Sequence, residues 1–269
     1  NLFLGGTVPG ELYRQISKRV EAEYGDQPLA VRSSAPGEDS QSRSFAGLHE
    51  SYLNVIGHDD LIKKIKKVWA SLWSDRAILY RQELGLEVAS SSMAVVLQPF
   101  VEGQRSGVLF SRNPMDLSQV SLEAVYGLNQ GLVDGVVEPD RWLLDRKDMR
   151  IVTHNVPVNR DFQFVRSGQA GVVRQPVPEN LQSIPPLDGK QVMEIAALGL
   201  KLENFSGVSQ DVEWTMADGQ IHLLQSRPVT TEGGDDAADK RSWYLSLNRS
   251  YDNLLQLWER IVERLLPEM

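Results

Sequence analysis

The segment DVEWTMADGQIHLLQSRP, residues 211–228, carries Asp211 and Glu213 on one arm and Gln225 and Arg227 on the other. Side chains alternate faces along a strand, so Asp211 and Glu213 share a face, as do Gln225 and Arg227. Whether the two faces coincide depends on the turn. A three-residue loop Ala217-Asp218-Gly219, with Gly219 left-handed, pairs Met216 with Gln220 and sets Asp211 opposite Gln225, turning all four groups to one side. A strict two-residue Asp-Gly turn shifts the pairing by one and separates them. Gathered on one side, two carboxylates and an amide oxygen form a hard-oxygen set suited to Mg2+, which proteins usually hold together with substrate phosphates. An arginine beside that set can fork onto a phosphate oxygen. The plainer alternative is a solvent-facing strand pair with cross-strand ion pairs.

Two further stretches carry usable chemistry. In VRSSAPGEDSQSRSFAG, Arg32 leaves a strand into a loop holding Ser33, Ser34, Gly37, Ser40, Ser42, Ser44 and Gly47. Small residues let backbone N–H groups approach an anion, and hydroxyls with an arginine complete a phosphate cradle. No Gly-Lys-Ser/Thr follows, so this is not a Walker motif; a serine-rich surface loop is the plainer reading. MAVVLQPFVEGQRSGVLFSRNP reads as two apolar strands joined by a polar link at Gln98 to Ser106. Such a pair either forms core or holds a flat heterocycle against backbone groups at 98–101.

These residues need elements to hold them. Leu12, Ile16 and Val20 recur at helical spacing, which predicts a helix over 10–25. Asp59, Asp60 and the apolar side Leu61, Ile62, Ile65, Val68, Trp69, Leu72, Trp73 and Ile78 predict one long helix ending at Gly85. From 93 to 157 the texture turns to short β-branched or aromatic strands, MAVVLQPFV, SGVLFSRNP, VSLEAVYG, DRWLLDR and RIVTHNVP. Proline-rich 166–190 reads as loop, 190–204 as an amphipathic helix, and TTEGGDDAAD as a linker. The closing LNRSYDNLLQLWERIVERLLPEM reads as an amphipathic helix whose apolar side wants a partner. This mixture predicts an α+β class.

Composition narrows the function classes. The 269 residues are 41% hydrophobic and 24% charged, with a net charge of −8 and no cysteine. That balance argues against a nucleic-acid surface. No apolar run approaches the ~20 residues of a membrane span. Without cysteine there are no disulfides, thiolate metal sites or thiol nucleophiles, which suits a cytoplasmic location. His49, His58 and His222 lack metal-ligand spacing, and His154 reads as a strand histidine. The run Lys63 to Lys67 lies on the polar side of its helix, where solvation is the default.

AVRSSAPGEDSQSRSFAGLHESYLNV, VWASLWSDRAILYR, SGVLFSRNP, YGLNQGLVDGVVEPDRW and DVEWTMADGQIHLLQSRPVT occur in that order. Together they resemble the nucleotide-binding domain of phosphoenolpyruvate synthase (pyruvate, water dikinase), pyruvate phosphate dikinase and their relatives, over about residues 28–231. The resemblance implies an ATP-grasp fold, here partial, with the first lobe mostly missing. It implies a domain boundary near 231, with 232–269 forming a linker and the first helix of the next domain. ATP and Mg2+ are the implied cofactors. Arg32 would contact phosphate with Ser33 and Ser34 nearby, Glu213 and Gln225 would be metal-side ligands supported by Asp211, and Arg227 would reach the β- or γ-phosphate. Gln98, Phe100 and Val101 fall at the strand link where adenine sits.

Four positions depart from the family pattern. Leu48 replaces an amide, Ser51 a threonine, and Gly127-Leu128-Asn129-Gln130 stands for Gly-Leu-Gly-Glu. The family's phosphate-gripping Gly-Gly-Lys segment and its Thr-Ser-His-Ala phosphohistidine segment have no counterpart here. The implied reaction therefore belongs to a longer parent. In that parent, ATP phosphorylates a histidine on a separate mobile domain, which passes the group to pyruvate on a third. The fragment alone is expected to be inactive. The same nucleotide domain serves rifamycin phosphotransferases, and a non-catalytic nucleotide-binding module is the third alternative. The expected partners are ATP and the parent's other domains, with neither nucleic acid nor membrane. A homodimer stays open.

Overall fold

The computed structural model describes residues 2–36, 50–83 and 91–229. Gly37, Ser40, Ser42, Ser44, Gly47, Leu48, His49, Gly85 and the expected tail 232–269 lie outside them. The elements run α1 (Leu2–Gly5), α2 (Gly10–Tyr24), β1 (Leu29–Ser34), β2 (Ser51–Val55), α3 (His58–Ser71), α4 (Asp75–Glu83), β3 (Ala94–Pro99), β4 (Arg105–Phe110) and β5 (Gln119–Tyr126). They continue with α5 (Gln130–Val133), β6 (Asp140–Asp145), β7 (Ile151–Asn155), β8 (Phe162–Arg166), β9 (Val172–Pro176), α6 (Glu179–Gln182), α7 (Gly189–Ser206), β10 (Gln210–Ala217) and β11 (Gln220–Pro228). Helix and strand mix as expected of the α+β class.

Three sheets result, ordered β2-β1-β3, β11-β10-β4-β5-β6-β7 and β8-β9. The small sheet buries Leu29, Val31 and Val55 against Val20 of α2 and Leu61, Ile62, Ile65 and Val68 of α3. The large sheet buries Leu109, Leu122, Trp142, Val212, Trp214 and Met216 against Val192, Ile195 and Ala196 of α7. Period-2 alternation then sends the odd-numbered residues of β10, Asp211 and Glu213 among them, to the face away from α7. Among the described residues the chain crosses between these two sheets once, through the link Phe100–Gln104 after β3.

Two expectations change here. The long helix predicted over 59–85 breaks at Leu72–Ser74, where Trp73 and Ser74 N–H groups bond three residues back at 3.0 and 3.2 Å. Ser74 then restarts the helix, its hydroxyl accepting from the Ala77 N–H at 3.3 Å, and the Arg81 guanidinium folds back onto the Leu72 carbonyl. Ser-Asp at 74–75 is an N-terminal signal that outweighs the continuing apolar period. The stretch expected to be loop, 166–190, contains β9 and α6. Strands β8 and β9 form a two-stranded sheet of their own, leave their side chains half-buried or exposed, and so show no alternating apolar pattern.

Helix α7 is fixed at both ends. Asp188 and Gln191 form a reciprocal capping box, and Gly207 closes the helix at φ 77°. Its Glu203 is buried and accepts from Arg112 Nε at 3.1 Å and Arg146 Nη2 at 2.8 Å. Burial pushes this carboxyl up, but hydrogen bonds from Ser111, Arg146 and Arg112 outweigh it and hold Glu203 below its ordinary 4.5. A depressed carboxylate stabilises the fold above the unfolded value and loses that contribution as pH falls through the folded one. Glu203→Gln is expected to cost about 3 kcal/mol in urea unfolding at pH 7. The gap to the unsubstituted protein should shrink below pH 4.5; a gap that widens in acid would contradict the assignment.

Candidate functional site

The hairpin closes through a two-residue turn. Ala217 pairs with Gln220, and both Asp218 and Gly219 have positive φ, 51° and 76°, as a type I′ turn requires. On that ground alone the two pairs of polar residues would face opposite ways. They do not, because Trp214 pairs with Leu223 while Glu213 pairs with Gln225. Leu224 is an extra residue in β11, a β-bulge that shifts the register back by one. Glu213 therefore lies opposite Gln225 and Asp211 opposite Arg227, all on the face away from α7. Neither turn considered from sequence gives this pairing; the shared face comes from the bulge.

The small sheet completes the arrangement. Arg32 lies on the face of β1 opposite Val31, and its Nη1 donates to Glu213 Oε2 at 3.2 Å and to Gln225 Oε1 at 2.9 Å. One guanidinium thus spans 181 and 193 residues of sequence to join the two sheets. Arg227 Nε donates to Asp211 Oδ2 at 2.8 Å, and its Nη2 lies 2.6 Å from the same oxygen. Burial pushes the Asp211 carboxyl up, with Glu213 and Glu123 adding to the shift, while Arg227 pulls it down without cancelling the burial.

Other predicted residues fall around this centre. The alternation of β1 places Ser34 on the Arg32 face and Ser33 on the Val31 face. Gln98 pairs with Ala30, two rungs from Arg32 on the same face, and Ser51 pairs with Arg32. Strands β3 and β4 belong to different sheets, so Gln98–Val101 are not part of a β3–β4 strand pair. They sit where the small sheet hands over to the large one. Within the link, the Phe100 N–H donates to Pro28 O at 2.9 Å and Val101 O accepts from Gly103 at 3.1 Å. Gly103 lies so close to Thr215 that no side chain fits there. Gln104 ties the link to the hairpin, donating from its N–H to Met216 O at 2.9 Å and accepting from the Asp218 N–H at 3.0 Å.

Sequence reasoning missed Glu123 and Arg141. Register places Glu123 opposite Val108 and Val108 opposite Glu213, so both carboxylates stand in one row across the sheet, with Arg141 opposite Glu123. Arg141 Nε donates to Glu123 Oε1 at 2.6 Å. A lone carboxylate inside the apolar strand QVSLEAVY was the available signal. His154 lies on the other side of the large sheet, its Nε2 2.8 Å from Asp140 Oδ1 and its ring stacked on Trp142. His58 and His222 are not brought together with it. Asn129, at a departure from the family pattern, is buried with both amide atoms unpartnered.

Carboxylates and guanidiniums therefore alternate on one face of the large sheet, where Arg32 of the small sheet meets it, a layout suited to a polyanion carrying a cation. Residues 2–244 match the family described as pyruvate phosphate dikinase, AMP/ATP-binding domain. The chain is 35% identical over 227 residues to a rifampicin phosphotransferase of Bacillus cereus, covering 83% of this chain and 26% of the relative. It is 36% identical over 222 residues to a probable phosphoenolpyruvate synthase of Archaeoglobus fulgidus, covering 82% and 29%. It is 34% identical over 232 residues to the phosphoenolpyruvate synthase of Pyrococcus furiosus, covering 82% and 28%. The chain thus spans less than a third of the length of these relatives. With the match spanning residues 2–244, the chain belongs to the pyruvate phosphate dikinase AMP/ATP-binding domain family.

Proposed function

We propose that this chain is the ATP- and Mg2+-binding part, ATP-grasp in type, of an enzyme that moves a phosphoryl group from ATP. The observation that carries the reading is the convergence of Arg32 from one sheet on Glu213 and Gln225 of the other. The donor set fits Mg2+ on one ground. Glu213 Oε2 and Gln225 Oε1 already converge on a cation, the guanidinium of Arg32. Among the described residues no group of three or more His, Cys, Asp or Glu side chains could hold a metal. The set therefore relies on the Gln225 amide oxygen, Asp211 as supporting carboxylate, and the phosphates themselves. When bound, Mg2+ would neutralise phosphate charge. Arg32 and Arg227 would orient the polyphosphate and stabilise charge as the phosphoryl departs. Gln98, Phe100 and Val101 would flank the base at the link, and Ser34 would lie beside the phosphates.

In the intact protein the phosphoryl group would pass to a histidine on a separate mobile domain and then to pyruvate. The comparable identities to a rifampicin phosphotransferase and to phosphoenolpyruvate synthases keep a second acceptor class in view, since nothing in the shared segment separates them. Calorimetric titration of the intact protein with ATP tests the reading. Binding is expected to be at least tenfold tighter with Mg2+ than with a chelator present. An intact protein that binds no ATP under either condition would overturn it.

A further inference from the structure

Asn54 is the one polar residue among the last three of β2, and it is fully buried. Its φ of 54° is left-handed, a conformation asparagine tolerates better than most residues. Its Nδ2 points at three carbonyls of the β8–β9 turn, 3.3 Å from Ser167 O, 2.7 Å from Gln169 O and 2.7 Å from Gly171 O. The Gly171 N–H returns a bond to Asn54 O at 2.9 Å. The tip of one hairpin is thus wrapped around a single side chain of the small sheet.

The same hairpin is also fastened, at the middle of β8, to the large sheet. Phe164 O accepts from the Leu128 N–H at 2.7 Å and bridges to Gly127, which has no room for a side chain against that carbonyl. Between the two fastenings, Arg166 reaches Glu102 of the link at 3.4 Å. Besides the contacts of Arg32 itself, the described residues join the two sheets covalently through Phe100–Gln104 and non-covalently through β8–β9. A single link acts as a hinge; a second fastening fixes its angle. Asn54 is the small-sheet end of that fastening. It stands on the strand paired with β1, where Arg32 lies opposite Ser51.

We propose that Asn54 is a positioning residue for the nucleotide site: it latches the β8–β9 hairpin and so holds Arg32 at the spacing where it meets Glu213 and Gln225. The inference rests on the proposed ATP site, and one of its two measurements needs no nucleotide. Asn54→Asp keeps the shape and backbone preference but replaces both N–H donors with a carboxylate facing three carbonyls. Asn54→Gly keeps the left-handed backbone and serves if the aspartate variant does not fold.

In hydrogen exchange on the intact, nucleotide-free protein, the variant should exchange faster at Gly171 and Leu128 while β10 keeps its protection. Unchanged exchange would overturn the latch whether or not ATP binds. In Mg-ATP titrations the variant should bind roughly tenfold or more weakly, as expected when a contact is misplaced on the order of 1 Å. Adding Arg32→Ala should then cost much less than it costs alone. A fully additive pair would show that Asn54 serves the fold without placing Arg32. Faster exchange together with an unsubstituted protein that binds no ATP would overturn the ATP site and the positioning role, leaving only a structural latch.

Discussion

Glu213→Ala and Arg227→Ala should each weaken Mg-ATP binding about 30- to 150-fold, the ~2–3 kcal/mol that a charge-assisted hydrogen bond in a desolvated site contributes. The two losses differ in kind. Glu213→Ala removes a carboxylate that meets the cation, so affinity should become nearly independent of Mg2+. Arg227→Ala should keep the Mg2+ dependence while lowering affinity throughout, with Arg227→Lys restoring part of it. The arginine variant also leaves Asp211 buried beside Glu213 and Glu123 without the partner that pulls its carboxyl down. That carboxyl then rises further. Because its folded value lies above the unfolded one, Arg227→Ala should lose stability as pH increases through the folded value and recover it in acid. Calorimetry with and without Mg2+, and unfolding followed from pH 3.8 upward, read both effects. Wild-type affinity in both variants would remove the nucleotide from this hairpin.

Arg32→Met should move two ligands in opposite directions. The guanidinium bonds to Glu213 Oε2 and Gln225 Oε1, the same oxygens a divalent cation would use. Its Nε is buried without a hydrogen-bond partner, so the side chain is not saturated where it lies. Removing the arginine should tighten Mn2+ binding in nucleotide-free protein about tenfold, a modest share of the coupling seen for close charge pairs, and weaken ATP binding by a similar factor. Electron paramagnetic resonance of Mn2+ gives the first number and calorimetry the second. Mn2+ affinity that falls or stays constant would mean that these oxygens are not the cation site.

Much of the site was legible in the strand pattern, because DVEWTMADGQIHLLQSRP alternates apolar and polar residues around an Asp-Gly turn. Its facing was not. Bulges often announce themselves by glycine, whereas the extra residue here is the second leucine of His222-Leu223-Leu224-Gln225, and local chemistry gives no reason to single it out. Strands β3 and β4 read correctly as strands, yet sequence could not assign them to different sheets, since each is apolar and the joining link is short. The β8–β9 hairpin escaped because it spans two bodies and buries no apolar stripe. Asn54 could have been found: a polar residue inside SYLNV, next to the buried Val55, calls for hydrogen-bond partners. The break at Ser74 was likewise written in the sequence, but helical periodicity across 61–78 obscured it.

Leu224 also governs which changes of length the gene can tolerate. Deleting it leaves Glu213 facing the glutamine, and moving that residue into the turn leaves the same two pairs in place. Between the turn and Gln225, then, loss of one residue or its transfer into the turn can be absorbed as the absence or relocation of the bulge. The interval from Gln225 to Arg227 has no such slack, because one residue more or less would send the arginine to the helix side of the sheet. Among relatives, the loop end of this hairpin should vary in length while the Gln-x-Arg spacing stays fixed.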